Sequence, residues 1–314
     1  MKKSLLIFIV LFCATTQRLA AQYDAAFNHY WTLQSFYNPA ASGINGKLDV
    51  QGAYSMQMLG YEHAPATMVI TADLPLWILS PAHGVGAGFV NDGIGLFAHK
   101  KFFIQYAYHQ KLWGGRLSAG VRAAMLSESF DGSGLVVVDD NDPAFPTSEA
   151  TGTAFDLDGG IRYDARLWYA GFSVAHALSP TIELGDTKTN EINVPAIFYL
   201  TGGYNINLKN PLLKVQTSAI VRSDLSTWRA DVTGRLVYKS PRGRMYLGAS
   251  YSPTISASVL IGGEFHGIQL GYCYEIYTNG IGALQGTHEI SIGYSTDLGF
   301  FKKGKNRHQS VRVL

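Results

Sequence analysis

Trp228–Lys239 reads WRADVTGRLVYK, and its alternation decides how the rest of the chain is read. Trp228, Ala230, Val232, Leu236 and Tyr238 fall on one face of an extended strand, and Arg229, Asp231, Thr233, Arg235 and Lys239 on the other. The reason is geometric: successive side chains of a strand point to opposite sides. The same period recurs at Leu117, Ala119, Val121, Ala123 and Met125 against Arg116, Ser118, Gly120 and Arg122. It recurs again at Ile268, Leu270, Tyr272, Tyr274 and Ile276 against Gln269, Gly271, Cys273, Glu275 and Tyr277. One face is apolar with tyrosines near its ends, and the other is polar or tiny.

A water-soluble sandwich also alternates, but its strands average about 5 to 6 residues and turn their polar face to water. The segments here run to about 9 to 13 residues, close to the length of a tilted strand that crosses a bilayer. In lipid every backbone group must be paired, so such strands close into a barrel with the apolar face outward. Beyond the N-terminus no apolar run approaches the roughly 18 residues of a helical span. Composition agrees. The 47% hydrophobic content would suit a soluble protein, but only 15% of residues are charged, against about 25% in ordinary domains. The 34 glycines, 18 tyrosines and 16 phenylalanines favour strands and tight turns.

Counting such segments predicts an all-β, transmembrane, antiparallel up-and-down barrel of about 14 strands. They are placed at 47–57, 66–74, 84–91, 101–112, 115–127, 153–163, 166–176, 196–207, 212–223, 227–239, 243–252, 255–264, 267–277 and 287–298. An even number puts both termini on the periplasmic side of a Gram-negative outer membrane. Links after even strands are mostly tight, such as Trp113-Gly114, Asp164-Ala165, Ser240-Pro241-Arg242 and Phe265-His266. The two longest links, 128–152 and 177–195, follow odd strands, as the topology requires. The link at 75–83 breaks the rule and makes a strand beside it suspect.

Residues 1–21 read as an export signal: Lys2 and Lys3, an apolar run from Leu5 to Phe12, and Ala20-Ala21 before the cut. Leu19 is not ideal at that cut, and Phe12 before Cys13 is the wrong size for lipoprotein cleavage. With the signal removed Cys273 is the sole cysteine, so no internal disulfide is expected. Residues 22–46 form an N-terminal segment, 47–301 the barrel and 302–314 a basic tail. That tail holds Lys302, Lys303, Lys305, Arg307 and Arg312 on a mature chain with 22 basic and 23 acidic residues. It either contacts an acidic partner or lipid phosphates, or simply solubilises the terminus.

Reactive constellations are scarce. Asp139-Asp140-Asn141-Asp142 offers carboxylates to a hard cation, but the spacing is not that of an EF-hand loop and Pro143 follows. The nine histidines are dispersed, with no pair at metal-ligand spacing on one strand. His109 lies on a polar face without an assignable serine or carboxylate. Arg229, Asp231 and Arg235, and Asp156, Asp158 and Arg162, read as charge networks of the lumen. No enzyme activity, cofactor, metal or nucleic-acid partner is expected, and outer-membrane lipid surrounds the barrel.

Ahead of the first strand stands Asn38-Pro39-Ala40-Ala41-Ser42-Gly43. Pro39 fixes its own φ and holds Asn38 extended, while Gly43 admits conformations that other residues resist. The result is a stiff reversal. It follows four aromatics, Tyr30, Trp31, Phe36 and Tyr37, that sit outside any strand and need a surface to bury against. Gly84, Gly86 and Gly88 share one face of the third strand, opposite Val85, Ala87 and Phe89. They either leave room for another backbone or mark a bend in the wall. Tyr37, Asn38, Pro39, Gly43, Gly84, Gly86 and Gly88 are therefore the candidate plug or partner-binding residues.

These stretches carry a resemblance. The Asn38–Gly43 motif, Gly60, Ala64-Pro65-Ala66-Thr67, Asp73-Leu74-Pro75, Gly84–Gly88 leading to Asn91-Asp92 and Gly95, Tyr106-Ala107-Tyr108 and Leu117–Gly120 resemble the PorP/SprF family. Ala41 is smaller than the bulky residue usual in that motif. The resemblance implies a non-enzymatic outer-membrane component of the type IX secretion system, often linked to gliding motility. It implies association with periplasmic PorK/PorN-type ring proteins and other type IX components, with secreted cargo among the partners. A plugged barrel of the fatty-acid transporter type, for hydrophobic solutes, is the alternative.

Overall fold

The computed structural model describes residues 24–61, 63–76, 82–132, 149–185, 190–278 and 285–297. A helical turn, α1 (Gln34–Tyr37), and a 3₁₀ turn (Pro39–Ala41) precede the strands. The strands are β1 (Leu48–Met56), β2 (Ala66–Pro75), β3 (His83–Ile94), β4 (Phe97–Leu112), β5 (Gly115–Asp131), β6 (Glu149–Asp164) and β7 (Trp168–Ala175). Two short strands, β8 (Thr181–Leu184) and β9 (Asn190–Asn193), come next. The series resumes with β10 (Ile197–Asn207), β11 (Leu213–Ser223), β12 (Trp228–Ser240), β13 (Gly243–Ser252), β14 (Ser256–Phe265), β15 (Ile268–Tyr277) and β16 (Thr287–Thr296).

All but β8 and β9 pair antiparallel in one closed barrel of fourteen strands, with β1 paired to β16 from Leu48↔Thr296 to Met56↔His288. Closure leaves no edge, which lipid would punish. The faces divide as expected: Val232 is 55% exposed and Leu270 56%, whereas Asp231 is 5% exposed and Thr233 fully buried. Apolar side chains point out and polar ones in, the inverse of a soluble protein. We call proximal the end where β1 starts and β16 stops, and distal the other end.

The expected links hold, with three differences. Two-residue proximal turns at Trp113-Gly114 and His266-Gly267 have positive φ at both positions (50° and 75°, 53° and 85°), the twist that suits a tight hairpin. The link after Pro75 is longer, yet Pro75 pairs with Gly84, so the strands flanking it are both present and adjacent. First, β3 to β6 run further at the distal end than the apolar alternation extends, reaching Ile94, Phe97, Asp131 and Glu149. Second, the strand expected at 287–298 is described as strand only to Thr296. Third, the 177–195 link contains the β8–β9 hairpin. Its Ile182 and Leu184, with Val194, pack on Leu126 and Ala150 of the inward face, so the hairpin lies in the distal mouth. Among the described residues no helix is long and apolar enough to cross a membrane. The signal, the Asp139–Asp142 run and the basic tail lie outside the described residues.

Candidate functional site

The N-terminal segment touches strands on every side of the barrel. The Asn28 side-chain amide donates to Glu275 Oε2 on β15 (2.9 Å), and Ser258 of β14 donates to its oxygen (2.9 Å). Tyr30 donates to Thr233 Oγ1 on β12 (3.0 Å), Ser173 Oγ of β7 donates to the Tyr37 carbonyl (2.6 Å), and Gly43 N donates to Asp73 Oδ1 on β2 (2.7 Å). Only a chain inside the lumen reaches all of these. Its aromatics supply the core: Phe27, Tyr30, Trp31, Leu33, Phe36 and Tyr37 pack with Phe103, Tyr199, Ile220 and Leu260 from the inner wall. Phe36 and Tyr37 meet edge to face at 4.8 Å, an arrangement worth about 1 kcal/mol beyond burial. Burial pushes the Tyr30 phenol up to about 12 and Tyr37 higher still, so both stay neutral donors or acceptors.

The Asn38–Gly43 turn sits on a row built by register. Gly84 of β3 pairs with Ala107 of β4, Ala107 with Gly120 of β5, Gly120 with Gly160 of β6, and Gly160 with Ser173 of β7. Five neighbouring strands thus present one line of small inward residues. Asn38 is extended (φ −144°, ψ 112°), as Pro39 requires. Its Oδ1 accepts from Ala40 N (2.9 Å), capping the 3₁₀ turn, and its Nδ2 donates to the Ile161 and Phe172 carbonyls (3.0 and 3.3 Å). A Cβ at Gly160 would strike Asn38 Oδ1, and one at Gly171 would approach Asn38 Nδ2 to 3.0 Å. A Cβ at Gly120 would meet the Pro39 carbonyl carbon at 2.5 Å, and one at Gly84 would collide with the Ser42 carbonyl. Gly43 itself, at φ +70°, would carry a Cβ 2.8 Å from both Gly84 Cα and Leu74 O, so glycine is required there on both counts.

The glycine wall is therefore real at Gly84 and different at its neighbours. A side chain at Gly86 would meet Gln105 Nε2 at 3.0 Å, and one at Gly88 would strike the Phe103 ring. Those two glycines make room for side chains from β4, and neither a backbone seat nor a simple bend describes them fully. Nothing in the sequence marks Gly120, Gly160 and Gly171 as a seat for Asn38–Ala40, because residues eighty or more positions from that turn become its neighbours only through strand register.

Charged side chains fasten the segment. Arg122 Nη2 donates to the Ser35 and Phe36 carbonyls (2.5 and 2.7 Å), Nη1 reaches Asp158 Oδ2 (3.0 Å), and the guanidinium lies 4.1 Å over the Phe103 ring. Glu289 of β16 accepts from Asn28 N (2.6 Å) and His29 N (2.8 Å) and pairs with His29 Nδ1 (2.6 Å). Nearer the distal end His176 spans two carboxylates, Asp156 through Nδ1 (2.6 Å) and Asp24 through Nε2 (3.0 Å), and Tyr199 donates to Asp24 Oδ2 (2.6 Å). Burial opposes ionisation of Asp24, but His176, Lys101 and the Tyr199 hydroxyl together hold its carboxyl well below the usual range. Asp156, Asp158 and His176 bring ligand-type atoms within 4.8 Å of one another. Both imidazole nitrogens are engaged by carboxylates, and Asp158 Oδ2 takes Lys101 and Arg122 (3.0 Å each). Lys101 and Arg122 thus already neutralise Asp158, and His176 links the cluster to Asp24.

The expected lumen networks are regrouped. Arg229 bridges Asp231 and Glu275 (3.0 Å each) and Arg222 also pairs with Asp231, but Arg235 leaves that network to stack 4.1 Å over Trp31. Arg162 pairs with Asp164 (2.8 Å) rather than with Asp156 or Asp158. His109 has a serine after all: Ser118 Oγ lies 2.8 Å from Nδ1, while Nε2 lies 2.9 Å from the Ser42 carbonyl. A histidine that donates from Nε2 to that carbonyl accepts the serine proton at Nδ1, so the pair ties the turn to β4 and β5. Cys273 is free and buried.

The opposite half of the proximal end is hollow. A cavity of about 240 Å³ lies between Trp31, Gln34 and Asp49 on one side and Arg235, Arg244 and Glu264 on the other. It continues into lobes of about 810 Å³ and 560 Å³ that share Arg244 and Glu264.

A closed antiparallel barrel with an apolar outer face and a polar, filled interior defines an outer-membrane β-barrel protein. The family model for the type IX secretion system membrane protein PorP/SprF matches residues 19–294, and the chain belongs to that family. Membership places it in the outer membrane among the components of type IX secretion. Similar solved structures include the Ralstonia pickettii toluene transporter TbuX, with 12% identity, a TM-score of 0.46 and coverage of 83% of this chain and 92% of that one. A Pseudomonas aeruginosa homologue of FadL shows 12% identity, a TM-score of 0.45 and coverage of 83% and 93%. Acinetobacter baumannii Omp33 shows 8% identity, a TM-score of 0.44 and coverage of 80% and 98%. No curated protein matches this chain in sequence.

Proposed function

We propose that the chain is a non-enzymatic component of type IX secretion whose N-terminal segment plugs the barrel, with both termini in the periplasm. It docks periplasmic ring proteins of the PorK/PorN type and supports export or surface anchoring of cargo. The observation that carries this reading is the seating of Asn38–Gly43 on the row from Gly84 to Ser173, which lays a shaped segment against that side of the lumen. The tether of His109 and Ser118 to the turn supports a structural role for the pair. A channel for hydrophobic solutes gains little support from cavities lined by Asp49, Arg235, Arg244 and Glu264. Deleting residues 24–37 behind an intact signal tests the proposal. The expected result is a heat-modifiable, folded barrel that has lost secretion or ring association. Wild-type secretion together with wild-type partner recovery would overturn it.

A further inference from the structure

Resting on that docking role, we infer that the hollow at the proximal mouth, centred on Lys214, Lys239 and Arg242, receives an acidic, partly apolar peptide segment of a periplasmic protein partner. The lobe between β11 and β14 is lined by Lys214, Lys239, Arg242 and Arg244, and Glu264 is its one carboxylate among the described residues. Glu264 is already paired with Arg244. Lys239 stands directly across from Arg244 in the ladder, a like-charge pairing that costs stability unless an anion relieves it.

Direction excludes the surrounding lipid as the source of that anion. Lys214 shares the inward face of β11 with buried Arg222, and Lys239 that of β12 with buried Asp231, while Leu236, Tyr238 and Met245 take the lipid side. A headgroup in the bilayer meets the other face of these strands. The chain's own C-terminal tail, with five basic residues and no acidic one, is repelled by the lobe. Beside the cations lie Leu208, Leu212 and Val237, and the lobe runs on to the Trp31 and Arg235 stack. Alternating cationic and apolar lining fits an extended chain that carries carboxylates and aliphatic side chains in turn. Charge complementarity of this kind sets encounter rate and register and weakens with salt.

The test uses the full-length barrel in nanodiscs of zwitterionic lipid and a fluorescein-labelled peptide of alternating glutamate and leucine. Anisotropy should report saturable binding that weakens as salt rises and roughly tenfold or more in a Lys214→Glu, Lys239→Glu, Arg242→Glu variant. A Lys111→Glu, Arg166→Glu variant, reversed in charge at the other side of the same mouth, should bind like the wild type. A heat-modifiable band confirms that each variant is folded. Equal binding by the first variant, or equal loss in both, overturns the inference, as does binding that appears only with phosphatidylglycerol in the disc. If the first variant loses the peptide but secretes and recovers ring proteins normally, the lobe is not the docking site while the secretion role stands. If deletion of residues 24–37 has no effect, the secretion role itself fails.

Discussion

Along β3 to β7 the inward face carries Gly84, Ala107, Gly120, Gly160 and Ser173 in one row, and the N-terminal chain lies directly on it. Along β11 to β13 the inward face at the same end carries Lys214, Lys239 and Arg244 beside a hollow, which continues between Arg244 and Trp31 of the N-terminal segment. The strands have the same geometry; the side chains make the difference. Small residues let two backbones touch and so fix position by shape, which a single added methyl group disturbs. Long charged side chains line a hollow instead, and a surface of that kind discriminates by charge rather than by shape. The segment is thus seated tightly on one side and faces a hollow on the other.

The sharpest way to break this contrast is to put valine at both Gly84 and Gly120. Each Cβ meets backbone of residues 39–42, and backbone cannot swing aside, so a cost of about 1–3 kcal/mol per site is expected. Limited proteolysis of the purified barrel should then cut residues 24–44 while the heat-modifiable band persists. On the opposite half, Val232→Arg puts a charge on the lipid face and should cost about 2–4 kcal/mol near the midplane, read by urea unfolding in lipid. Arg235→Gln, on the lumen face of the same strand, should be mild, weakening the contacts with the Trp31 and Tyr246 rings.

Asn38→Ala removes one cap and two cross-barrel donations. It should loosen the segment by about 1–2 kcal/mol, seen as faster amide exchange at Ala40 and Ala41. The Asp24 contact gives a pH signature. Its folded pKa is depressed, so its contribution is complete above the unfolded value of about 4 and is lost as pH falls through the folded value. Protection near residues 27–29 should decline on acidification below about pH 4, and Asp24→Asn should remove that part of the decline. The smallest effect sharpens the comparison most. A Cβ at Gly159 would find nothing within 4 Å, while one at the neighbouring Gly160 faces Asn38. Gly159→Ala should shift stability by no more than about 0.5 kcal/mol, and Gly160→Ala should displace the Asn38 side chain, a difference that amide exchange at Ala40 reads directly.

The strands are legible in the sequence because the bilayer imposes one rule on all of them, and Trp228–Lys239 obeys it as openly as Ile268–Tyr277. Where the rule lapses, legibility goes with it. Asp92, Gly93, His99 and Lys100 extend β3 and β4 without an apolar face, and the four-residue strands of the distal hairpin are too short to show a period. The stiffness of Asn38-Pro39 and the approach at Gly84 follow from residue chemistry alone. The seat itself does not, since Gly120, Gly160 and Gly171 acquire meaning only when register aligns them. The same holds for Ser118 beside His109, a pair closed across the β4–β5 turn.

Glu289 and Glu275, on the last two strands, hold the backbone and side chain of Asn28 and His29 at the opposite end of the sequence. Ribosomes make residues 28 and 29 early and β16 near the end, so these early residues wait unfastened until the whole wall exists. A chain cut short before β15 keeps the glycine row yet lacks both carboxylates. Because the segment runs straight into β1, and β1 zips to β16, it has to be indoors before the seam shuts or else be threaded through a mouth afterwards. The seated segment is in that sense a seal: its contacts are complete only once β15 and β16 exist and the ring has closed.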